Sequence, residues 1–131
     1  MNRLRRRPIR RRKPEGDTMW LFTQHGFYSI VADRDHPGRH LVRARVQADL
    51  ENLKKLAGIS ATILATPEAD YGYRLTVDAA ELLRLMTALA NTVDYPNFKS
   101  RIAKRPDQAD RSAVYHRIWA EAAALQSNPR S

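Results

Sequence analysis

Between His40 and Ala57 the apolar spacing changes from alternate positions to a helical stripe, and this switch limits the fold more than any other feature. His40–Val46 alternates, with Val42, Ala44 and Val46 on one face and Leu41, Arg43 and Arg45 on the other. A half-buried strand has that period. Ala48–Ala57 then puts Leu50, Leu53 and Ala57 on one stripe, with Leu56 beside it and Gly58 placed to cap the end. A strand that leads into an amphipathic helix calls for a sheet with helices laid against it.

The flanking sequence extends this pattern. Trp20–Gln24 and Phe27–Ala32 are aromatic and β-branched runs separated by His25-Gly26, which reads as a hairpin. Asp33–Arg39 is a loop with Pro37-Gly38 as its turn signal. Ile59–Thr66 is strand-like, Pro67–Asp70 is a turn, and Tyr71–Val77 alternates again, with Arg74 and Thr76 opposite Leu75 and Val77. Asp78 and Glu81 have the spacing of a capping box for a helix over Ala79–Thr92 that buries Leu82, Leu83, Met86, Leu89 and Ala90. Pro96 stops that helix inside a loop over Asp94–Phe98. A last helix, roughly Arg111–Gln126, carries Tyr115, Ile118, Trp119, Ala122 and Leu125 on one side, a stripe expected to cover core or a sheet edge.

The order β-β-β-α-β-β-α-α predicts an α+β fold: a mostly antiparallel sheet with helices on one face and a ferredoxin-like core. A length of 131 residues fits one domain, over 19–126, with a frayed end over 127–131. No run approaches the ~18–20 apolar residues of a membrane span. The absence of cysteine removes disulfides, thiol nucleophiles and cysteine-ligated metal sites, and it fits a reducing cytoplasm.

Net charge is +9, but it is unevenly placed. Residues 1–14 hold seven arginines, one lysine and no acid, leaving 15 basic and 14 acidic residues, a net +1, for the rest. Residues 1–18 therefore read as a disordered arginine-rich arm without the apolar region of a secretory signal. The arm is a phosphate-binding extension, a solvated tail, or an extension that is not native at all. With translation starting at Met19, 15 basic and 12 acidic residues would remain, or +3.

Residues 19–120 resemble a family of small bacterial and phage proteins with no assigned activity. The resemblance lies in Met19–Thr23, Gly26–Val31, Arg34-Asp35, Leu41–Arg45, Asp49-Leu50, Asp94–Lys99 and Tyr115–Trp119. It implies chains that begin near Met19, and it carries no activity, cofactor or fold with it.

Three groups of residues are candidates for function. Arg43, Arg45 and Arg74 share the non-core parity of two strands, and Thr62 and Thr66 accompany them if the fourth strand is in register. Tyr28 joins them if it faces outward. Arginine and an aromatic on an open sheet are one way to hold single-stranded nucleic acid, although no RNP-type signature is present. Solvated arginines, or arginines paired with Asp33, Asp35 or Glu68, are the plainer reading.

The second group is Asp33, Asp35, His36 and His40, with ligand chemistry for a metal-assisted hydrolase that would also use Arg43. Pro37-Gly38 makes that stretch a turn, so the helical geometry that would join His36 to His40 is missing. The third is the Asp94–Lys99 loop, with Tyr95, Asn97 and Lys99 as its exposed groups. His25 and His116 stand alone. Catalytic elbows, zinc-protease motifs and phosphate-cradling glycine loops are absent.

The sequence thus points to a binding protein rather than an enzyme, with no cofactor expected. Its expected partner is nucleic acid or an acidic protein surface, met through Arg43, Arg45 and Arg74. An adaptor or inhibitor, phage-derived and self-associating, is the alternative.

Overall fold

The computed structural model describes residues 18–127, so residues 1–17 of the arginine arm and the end at 128–131 lie outside it. Five strands form one antiparallel sheet: β1 Met19–Thr23, β2 Gly26–Ala32, β3 Arg39–Ala44, β4 Leu64–Ala65 and β5 Tyr73–Asp78. Their order across the sheet is β1-β2-β3-β5-β4. Four helices follow the alternation: α1 Gln47–Ala57 after β3, α2 Ala79–Ala90 after β5, then α3 Phe98–Lys104 and α4 Ser112–Ser127. The fold is α+β. Strands β3 and β4 are joined through α1, and β5 lies antiparallel between them, a split β-α-β unit. The place beside β3 belongs to β2 of the N-terminal hairpin, and α2 leads into α3 rather than into another strand.

α1 and α2 pack on one face of the sheet. The core between them holds Tyr28 and Ile30 from β2, Val42 and Ala44 from β3, Leu75 and Val77 from β5, Leu50 and Leu53 from α1, and Leu85 and Leu89 from α2. α1 ends as its sequence predicts, with Gly58 in the left-handed region (φ 68°) and its N–H donated to the Lys54 carbonyl. The capping box at α2 forms in full: Asp78 accepts the Glu81 N–H at 2.7 Å, and Glu81 accepts the Asp78 N–H at 2.9 Å.

Several expectations change. In α2 the buried stripe is Leu82, Leu85, Met86 and Leu89, spaced i, i+3, i+4 and i+7, while Leu83 is 70% exposed and Ala90 faces solvent. The fourth strand shrinks to two residues because Tyr71-Gly72 bend and β5 starts only at Tyr73. Ile59, Ala61 and Ile63 still alternate inward against the core, but without a ladder partner. α3 falls where a loop was expected to run on; Asn97 caps it by accepting the Ser100 N–H at 2.9 Å. α4 buries only Tyr115, and the rest of its apolar stripe covers no core: Trp119 is 57% and Leu125 66% exposed.

One buried ion pair ties the C-terminal helices to the hairpin end. Asp49, 2% exposed at the start of α1, meets Arg111 through two hydrogen bonds of 2.6 and 2.7 Å. The same carboxylate accepts the Phe27 N–H at 3.1 Å and approaches the Gln108 amide at 3.4 Å. Gly26 leaves room for it, since a Cβ there would lie 2.4 Å from the Asp49 Cγ. Aromatic packing follows the same path. Phe22 stacks on Phe27 at 4.4 Å, Tyr115 meets Phe22 edge-on at 5.4 Å, and Phe98 lies 5.8 Å from Tyr115.

Candidate functional site

In an antiparallel ladder, directly opposed residues project from the same face. The register therefore lines up Trp20, Ser29, Arg43, Arg74 and Leu64 in one row across all five strands. The row lies on the face opposite α1 and α2, because its neighbours Ile30, Val42 and Leu75 point into the core. At ~4.8 Å between strands, Trp20 stands roughly 10 Å from Arg43 and 14 Å from Arg74.

Arg43 and Arg74 face each other, a like-charge pair at the centre of the sheet. Four residues along β3 on the same face, beyond Leu41 and Thr76, Arg39 is opposite Asp78, so that position has a counter-charge and the central one has another arginine. Among the described residues Arg43, Arg45 and Arg74 form no ion pair. Their hydrogen-bond acceptors are neutral groups. Arg43 donates to the Ser29 hydroxyl at 2.8 Å and to Thr18 at 3.4 Å, while Thr18 and Ser29 also bond to each other. Arg74 donates to Thr66 at 3.3 Å, and Arg45 donates to the backbone carbonyl of Asp70.

Tyr71 organises the cluster. Its ring is buried yet outside the main core, with the Arg43 guanidinium 4.6 Å and the Arg45 guanidinium 4.3 Å from its centroid. Two cations on one ring are fixed in direction with little loss of charge. Burial lowers the Arg43 pKa from its ordinary value; Tyr71 and Asp70 oppose that shift, and Arg74 and Arg45 add to it. The Arg43 Nε is buried without an acceptor among the described residues. A cluster of this kind offers directed donors and unneutralised positive charge, the requirements for holding an oxyanion.

The expected site residues divide. Arg43, Arg45 and Arg74 come together as their parity predicts, and Thr66 joins them, whereas Thr62 lies outside β4. Tyr28 does not belong. It is wholly buried on the helix-covered face, and its hydroxyl donates to the Asp49 carbonyl at 2.7 Å. Burial, reinforced by the Asp49 charge, raises that hydroxyl's pKa far above its ordinary value. Trp20, 51% exposed, is the aromatic in the same row as Arg43 and Arg74, and strand pattern alone assigns it only to the hairpin. Tyr71 also escapes sequence reasoning, because strand parity puts it on the core side.

The other two groups stay apart from the row. Asp33 pairs with His36 at 3.0 Å and accepts the Asp35 N–H at 3.0 Å. Although burial opposes it, these contacts hold the Asp33 carboxyl below its ordinary value. His40 shares the parity of Val42 and Ala44, and among the described residues no three potential ligands gather as a metal site would require. In the Asp94–Lys99 loop, Asn97 is occupied as the α3 cap. Tyr95 is half-buried beneath Arg101 at 5.0 Å, and Lys99 lies over Trp119 at 4.4 Å. None of the three hydrogen-bonds or stacks with the arginine row.

No protein-family model, curated protein or solved structure matches the chain. Among the described residues no helix is long and apolar enough to cross a membrane.

Proposed function

We propose that this protein is a non-enzymatic binding protein that engages an anionic partner through Arg43, Arg74 and Arg45. The observation that carries the reading is the opposition of Arg43 and Arg74 without a carboxylate on either among the described residues. Like charges directly opposed on a sheet cost stability, and a bound anion offsets that cost. Arg45 and Tyr71 add a third guanidinium and a rigid support. Beyond the arm the chain carries only +3, which favours contact with a few anionic groups over a broad electrostatic attraction.

The test compares the full chain with its Arg43→Gln/Arg74→Gln variant in binding to a labelled single-stranded oligonucleotide and to poly-glutamate. Removing each charge-assisted hydrogen bond should weaken binding about tenfold or more. Equal affinity in the two chains for both polyanions contradicts the reading.

A second reading, a protein–protein adaptor or inhibitor, is favoured by α4, where Ile118, Trp119 and Leu125 are bare. It requires a discrete oligomer or a stoichiometric protein partner, which sedimentation velocity on the full chain would detect.

A further inference from the structure

We propose that the ligand of this face is single-stranded nucleic acid, with one base stacked on Trp20 and backbone phosphates on Arg43 and Arg74. This rests on the anion-binding reading above and adds the class of ligand. The other members of the row point to that ligand. Trp20 is on the same face as the two arginines, two strands from Arg43, and is 51% exposed. Its neighbour Phe27 meets it at 80° with centroids 5.9 Å apart, so at most one face of the indole is covered by that ring. A large apolar ring left half in water, two strands from unneutralised guanidiniums on the same face, suits a ligand that carries anionic and aromatic groups along one chain.

Other polyanions match the row less well. An acidic protein segment would neutralise Arg43 and Arg74 and leave the indole without a partner. In a duplex the bases are stacked on each other, so none is free to lie on Trp20. A single strand offers both groups along one chain. The support around the arginines also suits phosphate. Ser29, Thr18 and Tyr71 fix the Arg43 guanidinium from the sides. Planar, directed donors recognise phosphate oxygens well.

The chain has two tryptophans, so Trp119→Phe in the full protein makes Trp20 the sole indole reporter while keeping an aromatic ring under Lys99. This protein is titrated with oligothymidylate, with an abasic oligonucleotide of equal length, and with poly-glutamate. The first two carry the same charge, so the contribution of the arginine arm cancels between them.

Oligothymidylate should quench Trp20 and bind about fivefold or more tighter than the abasic strand, the ratio expected for one stacked base. In the natural chain Trp20→Ala should reduce that ratio to near one, read by anisotropy of the labelled strands. Equal affinities without quenching would overturn the stacked base yet leave the anion site intact, as would a preference for poly-glutamate. If Arg43→Gln/Arg74→Gln binds all three polyanions as tightly as the parent, the underlying anion-binding reading fails as well.

Discussion

Arg43 on β3 and Arg74 on β5 occupy directly opposed positions on the sheet face that α1 and α2 leave uncovered. Such a pair works against folding and in favour of binding. Replacing Arg74 with threonine, a good strand former, should therefore raise stability by about 0.2–1 kcal/mol as the repulsion is lost. Urea unfolding at low salt measures this, and the gain should shrink as salt screens the parent. A loss of stability would mean that the pair is already neutralised.

The Asp49–Arg111 pair should hold α3 and α4 to the rest of the domain. Arg111→Met leaves a buried carboxylate unpaired and should cost about 3–5 kcal/mol. Adding Asp49→Asn should recover part of that loss, because the neutral amide can still accept the Phe27 N–H. Urea midpoints of the single and double variants test this. Equal destabilisation in the two would show that the buried charge is not the cause.

His25 predicts a pH dependence with a definite sign. Burial, followed by the Arg105 charge, holds its imidazole below the ordinary value of 6.5, with Asp107 opposing. The unfolded chain therefore takes up the proton first as pH falls. Stability is full above that ordinary value and declines below it until the folded imidazole is protonated too. His25→Gln should flatten the change in unfolding free energy between about pH 7.5 and 5.5. The depressed carboxyls of Asp33 and Asp107 act lower, below their ordinary 3.8, and leave that window to His25. An unchanged slope in the variant would contradict the assignment.

Strand parity makes much of this face readable from the sequence. Arg43, Arg45 and Arg74 each stand in a run whose alternate residues are apolar, so their shared exclusion from the core follows from period alone. β2 gives no such guidance. Phe27, Tyr28, Ile30 and Val31 are apolar at both parities, and Tyr28 turns inward because its hydroxyl has the Asp49 carbonyl to bond. Trp20 joins the row only through the pairing of β1 with β2, which is a matter of register rather than composition. Asp49 and Arg111 lie 62 positions apart, and no local pattern links residues at that separation. α3 is hidden in the sequence because seven residues with one buried side chain, Ile102, carry too little periodicity to stand out from a loop.

The most direct measurement is the salt dependence of single-strand binding by the full chain and by Arg43→Gln/Arg74→Gln. The arginine arm contributes equally to both, so the difference in slope reports the sheet face alone. Two phosphate contacts on a single strand should make the slope of log K against log salt shallower by about 1.4 in the variant. Superimposable slopes would contradict the account, since they would leave Arg43 and Arg74 touching no phosphate at all.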